Sequence, residues 1–496
     1  MIIFLDCEKD TFINNKIINS SFRATDANAG QAASLNLFKL YDESNLSGTT
    51  APIENSRILL KFDFSKVQAL TGTNGLLSGT KLSDAKFTLK MFDVLHNDTV
   101  PSNFNVVLYP LSMSWDEGHG VDSNLFQDIG SCNWLTSSGN TTVWNLSGAM
   151  SGGYVGQELI DYVTGSTSLG NLFVTQNFDD GTEDLSMNIT TVCSATITNQ
   201  IPDEGFILAF SGTEETDSYS RWIKRFFSRH TQYKEFAPRI EVSWNDSLKD
   251  NRSNFVFDYT GSLFFYNRMR GTLSTVTSAS VNQNTLTVEM TAYSASSGSS
   301  AIYTNTVTAY EIYTGIYSCS FAIDSFQTEL SGQIATNHSA TFYDYWKNND
   351  QTKAFMTGTF TINEAERTGF LKQKRYVANI TNLRPEYYEA ERARMRVFIQ
   401  EVNFSTNSSK IPSESQSLLL DKVYYRVRNK KSNEILADYD TTTSTTQMSY
   451  DEKGMYFDLD MSVCRPVGEI FQIEIFANVD NVNHYLQDTF TFKVIK

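Results

Sequence analysis

Cysteine is scarce and scattered in this chain of 496 residues: Cys7, Cys132, Cys193, Cys319 and Cys464 form no CxxC pair and no Cys/His cluster. That excludes a zinc site of ordinary spacing, argues against a disulfide framework and fits synthesis in a reducing compartment. Proline numbers only 8 and histidine 5. Basic residues are short too, 40 Lys and Arg against 56 Asp and Glu, for a net charge of -16. A general nucleic-acid or anionic-membrane binder needs the opposite balance. No apolar run approaches the length of a membrane span. The opening MIIFLDCEKD lacks a basic n-region and a long h-region, so it does not read as a signal peptide. G-x-S-x-G, HExxH, a Walker A loop and a G-x-G-x-x-G opening a helix are all missing. The expectation is a protein without enzymatic activity and without a cofactor.

What is present is strand-forming sequence. Phe (34) and Tyr (24) are abundant, and Ser and Thr fill the turns. In ENSRILLKFDFS (54–65), Ile58, Leu60, Phe62 and Phe64 alternate with Arg57, Lys61, Asp63 and Ser65, Leu59 being the one exception, the pattern of a strand with one dry and one wet face. Similar runs follow, among them AKFTLKMF, FNVVLYPL, GFILAFSG, TLTVEMTAY, KVYYRVRN and IFQIEIFANV. Without helical periods between them, they predict antiparallel sandwiches. WIKRFFSRHTQYKEF (222–236) fits no clean stripe and reads mostly as loop, and EYYEAERARMR (386–396) could hold a helical turn. Polar stretches at SWNDSLKDNRSN (243–254) and NEAERTG (363–369) mark boundaries. The predicted domains are therefore 1–247, 248–366 and 367–496.

Three features bear on function. SWDEGHGVD (114–122) gathers Asp116, Glu117, His119 and Asp122 behind Trp115; it reads as a loop anchored by Trp115 or as a weak cation site through Asp116, Glu117 and Asp122. The spacing is not that of a calcium loop. The stretch 221–239 concentrates Arg221, Lys224, Arg225, Arg229, His230, Lys234 and Arg239, either a solvated rim paired with acidic neighbours or a docking edge. Finally, TGIYSCSF and YDEKGMYFDLD both place Gly two residues before Tyr (Gly315 and Tyr317, Gly454 and Tyr456). In immunoglobulin-like sandwiches a Tyr near the start of strand F ties down a corner, with a Cys two residues on. Cys319 has that spacing, but the middle unit has no second cysteine, so it must hold by packing alone.

The ordered series DTFINN, SRILLKFDFS, LSDAKFTLKMF, SWDEGHG, SMNITTV, GFILAFSG and RFFSRH…APRIEVSW resembles the DNRLRE or disaggregatase-related modules over residues 8 to 246. These are jelly-roll-like domains often grouped with carbohydrate-binding modules. The run from IKRFFSRHTQYKEFAPRIEVSW through FVFDYTGSLFFYN, then GIYSCSFAID and YYRV with SYDEKGMYFDLDMS, is similar to structural proteins of large contractile-tailed bacteriophages. The resemblance implies an all-β chain, an N-terminal jelly-roll-like sandwich followed by two smaller Ig-like sandwiches. It also implies a virion component made in the host cytoplasm, in tail, baseplate or neck, meeting other virion proteins in multiple copies of a symmetric assembly. The alternative it leaves open is a host-adhesion protein whose first sandwich binds a glycan through Trp115, Trp134 or Trp144.

Overall fold

A computed structural model describes residues 1–19, 22–41, 53–72, 75, 77, 81–139, 141–295, 299–365, 374–402 and 417–496. The boundary stretch NEAERTG runs from Asn363 into residues outside this set. The chain is all-β and divides into two compact units, one built from Ile3–Ala69 and Thr80–Ser243, the other centred on Trp244–Lys496.

The first unit is built on β1 (Ile2–Asn14), β2 (Ser34–Tyr41), β3 (Ile53–Phe62), β4 (Lys86–Met91), β5 (Phe104–Pro110), β6 (Val174–Phe178), β7 (Leu185–Asn188), β8 (Phe206–Phe210), β9 (Arg221–Phe227) and β10 (Arg239–Ser243). Its ten-stranded system runs β6-β5-β8-β3-β1-β10-β4-β7, with β9 and β2 branching from β3. Strands far apart in sequence lie side by side, as in a jelly roll. The pairing Asp10↔Leu60 and Phe12↔Ile58 sets the register of β1 on β3. The face of β3 that carries Arg57 is covered at that position by the turn at residues 148–149 and by Glu215: Arg57 is buried, donates to Ala149 O at 2.7 Å and forks onto Glu215, with Nε to Oε1 at 3.0 Å. The solvent-facing role expected for Arg57 is thus overturned by a segment folded over that face, and its charge is met by Glu215.

Segment 222–236 is strand as far as Phe227 and turn with a short 3-10 helix from Ser228 on, so the loop reading holds for its second part and misses the strand in its first. The strand is β9, antiparallel to β2 with Arg225↔Asn36 and Phe227↔Ser34. Lys224 points inward with the apolar residues, which is what disguises the strand alternation.

The second unit holds two sheet systems. In the first, β11 (Phe255–Val256), β12 (Gly261–Tyr266), β13 (Thr285–Tyr293), β14 (Ala301–Tyr313), β15 (Ile316–Phe321), β16 (Ser339–Lys347) and β17 (Ala354–Asn363) run in the order β11-β17-β16-β13-β14-β15-β12. They enclose a core that includes Leu263, Leu286, Tyr317, Phe342 and Trp346. In the second, two sheets face each other. β18 (Tyr376–Ile380), β20 (Arg392–Glu401), β24 (Gly454–Asp460) and β23 (Ser449–Asp451) form one. The other comprises β19 (Glu386–Tyr388), β26 (Val482–Ile495), β25 (Ile470–Val479), β21 (Val423–Asn429) and β22 (Ile435–Ala437). The segment 386–396 is strand, turn and strand, with no helical turn. The polar stretch 243–254 is no free linker: Tyr450 N donates to Leu248 O at 2.9 Å and Asp250 N donates to Tyr450 O at 3.1 Å.

Both Gly-x-Tyr motifs are hairpins. Gly315 lies between the paired residues Tyr313 and Ile316, at φ 73°, and a Cβ there would stand 2.6 Å from Ser274 N. Gly454 sits one place further on, already paired with Asp451 as the first residue of β24, with Glu452 and Lys453 forming the turn. Tyr317 and Tyr456 therefore sit on the strand entered from this hairpin, with two long strands still to follow in each sandwich. That position is strand E and not strand F. Tyr317 still ties a corner: Val276 N donates to its hydroxyl at 2.9 Å, and the hydroxyl donates to Gln283 O at 2.6 Å. The Tyr456 ring instead lies beside two guanidinium groups, Arg394 at 4.2 Å and Arg396 at 4.8 Å. All five cysteines are free and buried.

Candidate functional site

The tryptophan loop and the basic stretch, two separate features of the sequence, meet in the first unit. Trp115 is buried, and its indole donates to Glu204 O at 3.0 Å, which fixes the loop root. Asn28 holds the tip: its Nδ2 donates to Glu117 O and to Cys132 O at 2.8 Å, and its Oδ1 accepts from Gly120 N at 2.8 Å. A Cβ on Gly120 would stand 2.1 Å from Asn28 O, so only glycine lets the loop close this tightly.

So held, Glu117 faces β1 and the segment after β9. Its Oε1 accepts from Asp10 N at 3.0 Å and from Arg229 Nε at 2.6 Å, and lies 3.3 Å from His230 Nε2. Its Oε2 accepts from Arg229 Nη2, completing a bidentate fork. Asp10 Oδ2 accepts from Arg229 N at 2.5 Å, while the buried Oδ1 has no hydrogen-bond partner. Burial, the largest cause, raises the Asp10 carboxyl to about 7 despite the Arg229 N–H. Burial and the Arg229 charge lower His230. The bond to Glu117 raises Arg229.

One ligand atom each from Asp10, Glu117 and His230 lie within 4.8 Å of one another, a donor set that could surround a divalent cation. Yet both Glu117 oxygens are already taken by the Arg229 fork, which supplies the positive charge itself. Two open hollows, of about 360 and 420 Å³, lie elsewhere, one lined by Phe22, Phe126 and Leu135, the other by Phe257, Asp258 and Ser325. The arrangement acts as a clamp joining strand, loop and segment.

Of the sequence-predicted cation set, only Glu117 joins this cluster. Asp116 accepts from Ser138 Oγ, and Asp122 caps its own turn through Asn124 N at 2.6 Å and Leu125 N at 2.8 Å. The three carboxylates do not converge, which overturns that set. Sequence reasoning does not reach Asp10: FLDCEKDTFI carries Asp6, Glu8 and Asp10 at alternate positions, and nothing local marks Asp10 as the buried one.

The basic stretch is paired within its own unit. Arg221 forks onto Asp217 at 2.9 and 2.8 Å. Lys224, fully buried, donates to Asp93 at 2.6 Å and to the Gly181 and Glu183 carbonyls at 2.8 Å. Arg225 reaches Asp98 at 2.8 Å. Arg239, buried, bonds Glu241 at 3.1 Å and lies 4.5 Å over Phe4. Lys224 and Arg239 thus have no surface to offer a partner. Trp115, Trp134 and Trp144 are likewise buried together and cannot form a sugar platform.

No protein-family model and no curated protein matches the chain. Among solved structures, fibronectin(III)-like modules of Clostridium thermocellum CbhA are similar at 9% identity over 50% of this chain and 91% of theirs, with a TM-score of 0.14. The FN1-FN3 domains of chicken CNTN1 are similar at 10% identity over 58% and 87%, with a TM-score of 0.15. Scores this low support no inference, and the fold stands on the strand pairing above.

Proposed function

We propose that the chain is a non-enzymatic structural component of a phage virion, in tail, baseplate or neck, assembling through protein–protein contacts in multiple copies. The observation that carries this reading is the inward use of polar chemistry. The richest cluster, Asp10–Glu117–Arg229–His230, links three segments of backbone and lies apart from the two open hollows. Sandwiches held this way are rigid shapes whose loops and edges meet neighbours, and repetition multiplies weak contacts. The phage assignment itself rests on the sequence resemblance. Buried tryptophans take support away from glycan binding at the first sandwich.

Quantitative mass spectrometry of gradient-purified particles tests the proposal. A fixed, symmetric copy number relative to the major capsid protein is expected; absence from washed particles rejects it. Within the basic stretch, Arg225 is partly exposed and lies outside the clamp. Arg225→Glu should lower incorporation if this edge docks a neighbour, and normal incorporation removes the docking edge.

A further inference from the structure

The outward face of the middle sandwich is a regular grid of hydroxyls and tyrosines. Across β17, β16, β13 and β14 the register aligns Thr359, Tyr343, Thr291 and Thr304 in one row. The next row is Thr357, Tyr345, Glu289 and Thr306. Both rows fall where the pairing is unbroken, since the irregularities lie at Ala292/Tyr293 and Trp346/Lys347. Thr304, Thr306, Thr357 and Thr359 are exposed, Tyr343 and Tyr345 are half-buried beside them, and Thr291 at the centre is buried and offers no hydroxyl to solvent. Tyr293 extends the patch: its ring meets Tyr343 edge-on at 5.4 Å, and its hydroxyl lies 3.2 Å from that of Tyr345.

The chemistry of this face is selective. Its one acid, Glu289, is neutralised by Lys347 at 2.8 Å. The outer positions of the last sandwich differ, carrying ion pairs such as Arg394–Asp458 and Arg396–Asp451. The two rows carry no aliphatic side chain, so they lack the desolvated apolar centre on which protein interfaces depend. Threonine and tyrosine hydroxyls donate and accept alike, and tyrosine rings offer flat apolar faces with a polar tip. A flat, uncharged surface alternating rings with hydroxyls complements a ligand of the same kind. We propose that this face binds a neutral glycan, its sugar rings lying along the Tyr343–Tyr345 column and its hydroxyls on the flanking threonines. The proposal holds whether or not the chain is a virion part.

Affinity electrophoresis of the full chain through gels containing soluble neutral polysaccharides (a mixed-linkage β-glucan, an α-glucan, a galactomannan), with anionic alginate as comparison, tests it. Retardation by at least one neutral polymer and not by alginate is expected, together with loss of most of that retardation in Y343A/Y345A. A second variant, T357R/T359R, changes only outward positions of one strand and should lose retardation with an unchanged melting temperature. Equal mobility in every gel overturns the proposal, as does retardation that survives T357R/T359R. Concentration-dependent dimerisation abolished by T357R/T359R, with no polysaccharide effect, would make the face a self-interface and also overturn it.

Discussion

Arg252 donates from both terminal nitrogens to the two oxygens of Asp344, at 2.8 and 2.9 Å, inside the middle sandwich. Trp346 Nε1 adds a third bond to Asp344 Oδ2 at 2.8 Å. Asp344 is wholly buried. This buried fork ties the segment ahead of β11 to β16 in a sandwich whose one cysteine is Cys319.

Breaking the fork on one side should be costly, because it leaves an unpaired charge in the core. Asp344→Ala is expected to lose about 3–5 kcal/mol, whereas R252M/D344L, which removes both charges, should lose much less or nothing. Urea melts of the two variants decide it; equal losses would mean that charge pairing is not what matters there.

Asp10 makes stability depend on pH in a defined direction. Its folded carboxyl is raised from 3.8 to about 7, so the folded state prefers the protonated form. Its contribution is complete below about pH 4 and is lost as pH rises through 7. Asp10→Asn keeps an oxygen for Arg229 N and removes the charge. The variant should match wild type near pH 4 and exceed it at pH 8 by about 4 kcal/mol. Chemical melts of both proteins across this range check it, and their difference at each pH isolates Asp10 from the other carboxylates. A constant difference from pH 4 to 8 would contradict the raised carboxyl.

Tyr317→Phe removes a hydroxyl that both accepts from Val276 N and donates to Gln283 O. Two backbone groups lose their partner, and a loss of about 1–3 kcal/mol is expected. Hydrogen exchange should show the Val276 amide losing protection first. A variant with wild-type stability and protection would show that the corner holds without the hydroxyl.

The cysteines should be inert. All are buried, and burial raises Cys319 to about 12, away from the reactive thiolate. Native protein is expected to react with a disulfide thiol reagent only after denaturant is added, and its melting temperature should not change with reductant. Rapid labelling of the folded chain would contradict the buried placement.

Strands are legible in the sequence where apolar and polar residues alternate, as in TLTVEMTAY, which forms β13. They are not legible where a charge turns inward. Lys224 hides β9, and Arg57 looks wet until the turn at residues 148–149 and Glu215 fold over it. The Gly-x-Tyr spacing marks a turn in both sandwiches, but only Tyr317 points into its core; Tyr456 shares the outer face with Arg394 and Arg396, and the strand it sits on can be numbered only once the sheets are closed. For the site, Glu117 and Arg229 are each visible, but 112 residues separate them in sequence, and nothing local pairs them.

The sequence by itself determined the all-β architecture, the freedom from disulfides and the surplus of negative charge, because periodicity and composition act residue by residue. Only the tertiary structure decided which charges meet. Whether Asp10 takes a bond from Arg229, or Trp115 is hidden instead of offered to a ligand, depends on segments brought together by long-range strand pairing. Burial then fixes the protonation and partners of groups that, in the extended chain, would all be equally solvated.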